Sequence, residues 1–156
     1  MMAGRIEARL KELGIELPQA STPAANYVPF VRSGDLLFMA GQICVWNGEI
    51  KFRGKLGRDL SLEQGVEAAR ICGLNLIAQA RAALGGDLDR ISRVVRLGGF
   101  VNSVPDFTDQ PKVVNGASDL MVQVFGEAGR HARTAVGTNV LPLDVAVEIE
   151  AIFEVG

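Results

Sequence analysis

Near its C-terminal end the chain reads Val145-Ala146-Val147-Glu148-Ile149-Glu150-Ala151-Ile152-Phe153-Glu154-Val155, with an apolar residue at every second position. Successive side chains on a strand point to opposite faces. The alternation therefore places Val145, Val147, Ile149, Ala151, Phe153 and Val155 on one side and Glu148, Glu150 and Glu154 on the other. The carboxylate side is not ordinary core. A short distance upstream, a lone Arg133 lies in another segment of strand character.

The 156 residues suit one domain, 1–156, with room for a sizeable core. Hydrophobic residues make up 48% and charged residues 22%, the ordinary globular range. A formal charge of -2 gives no basic footprint for nucleic acid, whose binding depends on clustered Lys and Arg, and none for acidic lipid surfaces. Cys44 and Cys72 lack metal-ligand spacing, and with one His131 a zinc or Cys-His nucleophile site is hard to assemble. Both thiols are expected buried and reduced. No apolar run approaches the roughly 20 residues that span a bilayer, and the first residues lack a secretory core, so a cytoplasmic address is expected.

Ile6, Leu10 and Leu13 recur at helical spacing ahead of Gly14, predicting a short amphipathic helix, with an extended connector from Leu17 to Asn26. Val28–Val31 and Leu36–Ala40 read as a hairpin around Ser33-Gly34-Asp35, and Asn47-Gly48 is a tight-turn dipeptide. Ser61-Leu62-Glu63-Gln64 has capping-box spacing and opens a long helix that Gly85-Gly86 can end. Because Ile71, Leu74 and Ala78 make its second side apolar too, both flanks should be covered, one by the sheet and the other by a further element, with another subunit as a candidate. Gly98-Gly99 in the next strand marks a bulge or a close backbone approach, and Pro111 starts a second long helix. The last two strands, about Ala132–Val140 and Val145–Val155, are expected to pair as a hairpin about Leu141 to Asp144. The sum is an α+β fold, a mixed β-sheet with two long helices packed on one face and residues 1–18 as an N-terminal helix and connector. The remaining face needs a cover, most simply self-association in a closed cyclic oligomer.

From about residue 19 to 156 the chain resembles the Rid (YjgF) family of reactive intermediate deaminases, in a divergent subgroup often labelled endoribonuclease L-PSP. The resemblance rests on Tyr27 followed by Val31-Arg32-Ser33-Gly34-Asp35-Leu36-Leu37-Phe38-Met39-Ala40-Gly41-Gln42, on Asn115, and on Ala132-Arg133-Thr134-Ala135-Val136 leading to Leu141-Pro142 and Glu148-Ile149-Glu150-Ala151-Ile152. It implies a chorismate-mutase-like single domain, a homotrimer with a central barrel, ligand clefts between subunits and no cofactor. The implied chemistry is hydrolysis of small 2-imino or enamine acids, such as 2-aminoacrylate, to 2-oxo acids and ammonia.

Carried over by that resemblance, Arg133 binds the carboxylate of a small metabolite, Glu148 positions or activates water, and Tyr27, Gly41, Asn115 and Ala135 line the cleft. The residue types suit these tasks: a guanidinium offers a planar fork to a carboxylate, and a carboxylate can relay a proton. Each has a plainer alternative. Arg133 could hold a surface or interface carboxylate, Tyr27 could be an interface aromatic, Asn115 a helix residue bonding nearby backbone, and Gly41 a site of close strand packing. Glu150 and Glu154 read as a solvated face, and His131 as structural. On the hairpin register Glu148 lies opposite Gly137, roughly 14 Å along the strand from Arg133, which favours a cleft assembled between subunits.

The chain departs from the family pattern at Ala135, where a cysteine is common, at Ala40, where serine is common, and in a slightly longer stretch from Asn115 to Arg133 around Gly126-Glu127-Ala128-Gly129-Arg130. Two polar side chains are thus missing, and substrate choice is expected to differ. A noncatalytic trimeric carboxylate-binding or regulatory protein is the alternative function. An endoribonuclease ranks last, because one histidine and a net negative charge are poor material for RNA cleavage.

Overall fold

A computed structural model describes residues 4–23 and 25–156. Helix α1 (Arg5–Glu12) buries Ile6 and Leu10, each worth roughly 1.5–3 kcal/mol of apolar burial. Its N-terminal residue Gly4 has no capping side chain. Asp89 supplies the cap from a distant turn, accepting from the Arg5 and Ile6 amides at 2.9 and 2.8 Å. Gly14, at φ 68, ends the helix with bonds from Gly14 N–H to Lys11 O and from Ile15 N–H to Leu10 O, which together form a Schellman motif.

Strands β1 (Phe30–Ser33) and β2 (Leu36–Ile43) form the expected hairpin. Strands β3 (Val45–Trp46) and β4 (Glu49–Ile50) pair across Asn47-Gly48, both at positive φ as the two-residue turn requires. Helix α2 (Leu62–Ala83) opens on Ser61 and Gln64 as a complete capping box. Strand β5 (Ile91–Asn102), helix α3 (Gln110–Phe125), β6 (Ala132–Thr138) and β7 (Val147–Val155) complete the chain.

The large sheet runs β1-β2-β7-β5-β6, mixed because β6 lies parallel to β5 while all other pairings are antiparallel. The expected hairpin between the last two strands is thereby corrected: β5 lies between them. Leu141 to Asp144 do reverse the chain, since β6 is parallel and β7 antiparallel to β5, but they cross the end of β5, so the two strands are not neighbours. The alternation in β7 holds throughout, with Val147, Ile149, Ala151, Phe153 and Val155 buried and Glu150 and Glu154 exposed.

Helices α2 and α3 pack on that buried face, and Gly116 allows the approach, because a β-carbon there would lie 2.1 Å from Val66 O. The second apolar flank of α2 is covered within the chain, by α3, by the β3-β4 hairpin and by the 15–23 connector, so no second subunit is needed for it. Gly98-Gly99 marks a close approach, not a bulge: a β-carbon on Gly99 would lie 2.6 Å from Val114 of α3. Register shifts fall instead earlier in β5, at Ile91/Arg93 and Val94/Arg96, and in β2 between Met39 and Gln42. Cys44 and Cys72 are buried and unpaired, and no described helix is long and apolar enough to cross a membrane.

Candidate functional site

Glu148 sits on β7 opposite Ile43 of β2, immediately beside the bulge that contains Ala40 and Gly41. Such bulges bend a strand and re-aim what lies next to it. Gly41 has no positive φ, so its role is spatial. A β-carbon there would fall 2.6 Å from Glu148 Oε2 and 3.1 Å from its Cδ, so the carboxylate occupies space that only glycine leaves open. The half-buried Glu148 carboxyl is pushed above the ordinary glutamate range, first by burial and second by the charge of Glu150. A carboxyl tuned upward in this way exchanges protons nearer neutrality than a surface glutamate does.

Around it opens a cleft of about 640 Å³, lined by Tyr27, Gly41, Gln42 and Glu148 together with Pro29, Ile43, Val45, Ile50, Pro142 and Leu143. That volume is typical of small-molecule clefts. Ser21, Thr22, Pro23, Ala25, Tyr27 and Pro29 form one wall, and the chain here is held by Gln19 N–H to Asn47 Oδ1 at 2.8 Å and by the buried Gln79, whose amide donates to Ser21 O at 2.6 Å. Pro142 and Leu143 also line the cleft, and Leu143 and the following Asp144 both have left-handed backbone, φ 61 and φ 57. For non-glycine residues this costs about 1–2 kcal/mol each.

Arg133 and Asn115 lie elsewhere. Arg133 on β6 faces α3, where Nη1 donates to Asn115 Oδ1 at 2.8 Å and to Ser118 Oγ at 3.0 Å, and Nη2 donates to Pro111 O at 3.1 Å. Five N–H groups make up a guanidinium, so these three bonds orient Arg133 and leave donors for an incoming anion. Ser118 in turn bonds His131 Nε2 at 2.8 Å, and His131 Nδ1 bonds Gly129 O at 2.6 Å. The carbonyl can only accept, which assigns the proton to Nδ1 and makes Nε2 the acceptor from Ser118. Burial, with the Arg133 charge as a lesser contribution, holds the imidazole below its usual range and so neutral. Ala135 shares the Arg133 face two residues on and packs against the core.

The two groups do not meet within one protomer. Arg133 pairs with Leu97, while Glu148 pairs with Phe100, three residues along the same β5 strand. Odd spacing puts them on opposite faces, and two strand spacings plus three residues separate their Cα atoms by about 14 Å. Tyr27, Gly41 and Glu148 therefore form one cluster, and Arg133, Asn115 and Ala135 another.

A family model described as "YjgF/chorismate mutase-like, putative endoribonuclease" matches residues 7–154. The chain belongs to the YjgF family. Protein TCP17 of Trypanosoma cruzi is 51% identical over 153 residues, 97% of this chain and 95% of that protein. Atu1372 of Agrobacterium tumefaciens, a crystal structure of unknown function, is 52% identical with a TM-score of 0.91 and covers 97% of this chain and 92% of its own. A protein of Shewanella oneidensis MR-1 described as a putative endoribonuclease is 36% identical with a TM-score of 0.93, covering 97% and 100%. The YjgF match begins inside α1, ahead of the residues from which the resemblance was read.

For this YjgF chain, reading the residues missed Ser118, the Pro111 carbonyl, Gln79 and Leu143. Ser118 lies one helical turn after Asn115, a spacing that puts both on the face Arg133 meets, and this was the available signal. Nothing local distinguishes Leu143. The longer stretch before Arg133 becomes a short 3-10 turn, Gly126–Gly129, in which a β-carbon on Gly129 would lie 2.2 Å from Met121 O.

Proposed function

We propose that the chain hydrolyses small 2-imino and enamine acids to 2-oxo acids and ammonia, in a cleft completed by a second copy of itself. The observation that carries this reading is the division of the site. A carboxylate-binding arginine and a proton-exchanging glutamate are each positioned by built surroundings, yet face away from one another in one protomer. Cyclic association, as a homotrimer around a central barrel, would bring the β6-α3 edge of one copy to the Tyr27 and Glu148 cleft of the next. The open sheet face supports association, since it leaves Val31, Phe38 and Val136 exposed.

In this arrangement spare donors of Arg133 grip the substrate carboxylate, giving the charge-assisted fork that fixes orientation. Glu148 of the neighbouring copy holds a water at the C=N carbon and takes its proton as the C–O bond forms. That proton passes to the imine nitrogen, giving the carbinolamine; as its C–N bond breaks, the hydroxyl proton is carried to nitrogen, leaving the carbonyl and expelling ammonia, and an enamine enters after tautomerising to the imine. The residues named for these steps need no cofactor.

The test generates 2-aminoacrylate or 2-iminobutanoate enzymatically and follows 2-oxo acid formation with wild type, Arg133→Ala and Glu148→Gln. Loss of activity in both variants supports the roles; unchanged activity in both rejects them.

A noncatalytic carboxylate-binding role is the second reading. It is favoured by the inert side chains of Ala40 and Ala135 and by the three internal acceptors already on Arg133. Saturable binding of a 2-oxo acid without imine turnover would select it. RNA cleavage is less well supported, because His131 commits both ring nitrogens to Ser118 and Gly129.

A further inference from the structure

Leu143 is 63% exposed at the mouth of the Glu148 cleft, on backbone at φ 61 and ψ 14. Asp is among the residues that enter this region most readily, and Asp144 is further held by a bond from β5, accepting from the buried Asn102 amide at 2.9 Å. Leucine has no such compensation. The turn is held from outside by Arg53 Nη1, which donates to Leu143 O at 2.6 Å, and by Gly54 N–H, which donates to Asp144 O at 2.8 Å. Both bonds use backbone oxygens that a glycine at 143 would present equally, without strain. A large apolar side chain on unfavourable backbone, turned away from its own core, is thus held where a molecule in the cleft can meet it.

The cleft shows what that contact is. One end is the Glu148 carboxylate against Gly41, polar groups of Ser21, Thr22, Gln42 and Gln79 also line it, and Pro29, Ile43, Val45 and Ile50 give it an apolar wall. Those residues offer more apolar wall than the methyl group of a three-carbon acid can cover. We infer that Leu143 is a specificity-determining residue, and that the cleft takes 2-imino or 2-oxo acids with a branched or aromatic side chain packed on Leu143, in preference to the three-carbon acid. The inference rests on the proposed function for placing the reacting carbon at Glu148, and on the rigidly held turn for the rest.

The test compares binding of pyruvate, 4-methyl-2-oxopentanoate and phenylpyruvate by titration calorimetry, and hydrolysis of the matching imines, in wild type, Leu143→Ala and Leu143→Gly. Wild type should bind a bulky acid at least roughly tenfold tighter than pyruvate, the discrimination that one or two methylene contacts provide. Both variants should lose most of that ratio, chiefly through weaker binding of the bulky acids, and Leu143→Gly should unfold at the same or a higher temperature because its backbone strain is gone. A wild type without side-chain preference, or a preference retained in both variants, overturns the inference. So does a change of oligomeric state on size exclusion in Leu143→Gly, which would make Leu143 a subunit contact. Preference in binding without imine turnover would leave Leu143 in place and reject the deaminase reading; turnover without preference would do the reverse.

Discussion

Glu148 Oε2 lies 2.6 Å from where a β-carbon on Gly41 would be, so the glycine is a vacancy shaped to the carboxylate. Gly41→Ala should displace the carboxyl from its place beside the bulge. We expect turnover to fall by about a hundredfold, the usual worth of a positioned acid-base group, with a stability loss of about 1–3 kcal/mol from overpacking. Gly41→Ala combined with Glu148→Ala should recover the stability and not the turnover. Steady-state kinetics and chemical denaturation check both halves. A single variant with normal turnover would show that Glu148 acts from elsewhere.

Ser118 should behave as a positioning residue for Arg133. In Ser118→Ala one of three orienting bonds is lost, and the expected result is a KM several-fold higher with kcat nearly unchanged. Arg133→Ala should raise KM far more while costing only about 1–2 kcal/mol of stability, because its partners are neutral and partly exposed. Arg133→Lys keeps the charge but cannot reach Asn115 and Pro111 together, and should not restore KM.

Much of this geometry was legible in the chain, for identifiable reasons. The period-two pattern, the Ser61 to Gln64 box and the Asn47-Gly48 turn each encode their structure locally, and each appears, the strand starting at Val147 rather than Val145. Strand order did not follow from local signals. Leu141 to Asp144 is short enough for a hairpin, and only the parallel bonding of β6 to β5, a contact distant in sequence, decides otherwise. Gly98-Gly99 offered two meanings that the Val114 side chain alone resolves. The bulge at Ala40-Gly41 and the strained Leu143 carry no composition signal, since the first is set by pairing with β7 and the second by Arg53, Gly54 and Asn102.

Protonation of Glu148 should be visible in both stability and rate. Its folded-state pKa is raised by burial and by Glu150, so the folded protein binds this proton more tightly than the unfolded chain. Stability from this group is full below the ordinary glutamate value and is lost as pH rises through the raised one. Glu148→Gln should therefore unfold at the same or a higher temperature than wild type at neutral pH, with the difference gone near about pH 4. The acid limb of kcat/KM should lie above the ordinary carboxylate range, and Glu150→Gln should move it to lower pH. Scanning calorimetry and a pH-rate profile measure the two effects; an acid limb unmoved in Glu150→Gln would separate the limb from Glu148.

Asp89 should matter to the cleft from a distance. It caps α1 in place of Gly4, and α1 leads into the connector that walls the Glu148 cleft. The Ile6 and Arg5 amides hold its carboxyl below the usual range, so its contribution is present above the ordinary aspartate value and is lost as pH falls through the lowered one. Asp89→Ala should cost about 1 kcal/mol, and hydrogen exchange should quicken along α1 before the sheet. Uniform exchange change across the chain would contradict local capping.

Mixed oligomers test most directly whether Arg133 and Glu148 serve one substrate from different copies. Arg133→Ala and Glu148→Gln protomers, each inactive alone, are unfolded together, refolded in equal amounts and assayed for imine hydrolysis. Random cyclic assembly gives each cleft an intact arginine and an intact neighbouring glutamate about one time in four, so activity should return to about a quarter of wild type. A mixture as inactive as either parent, with mixed oligomers demonstrated by mass spectrometry, would contradict a shared site.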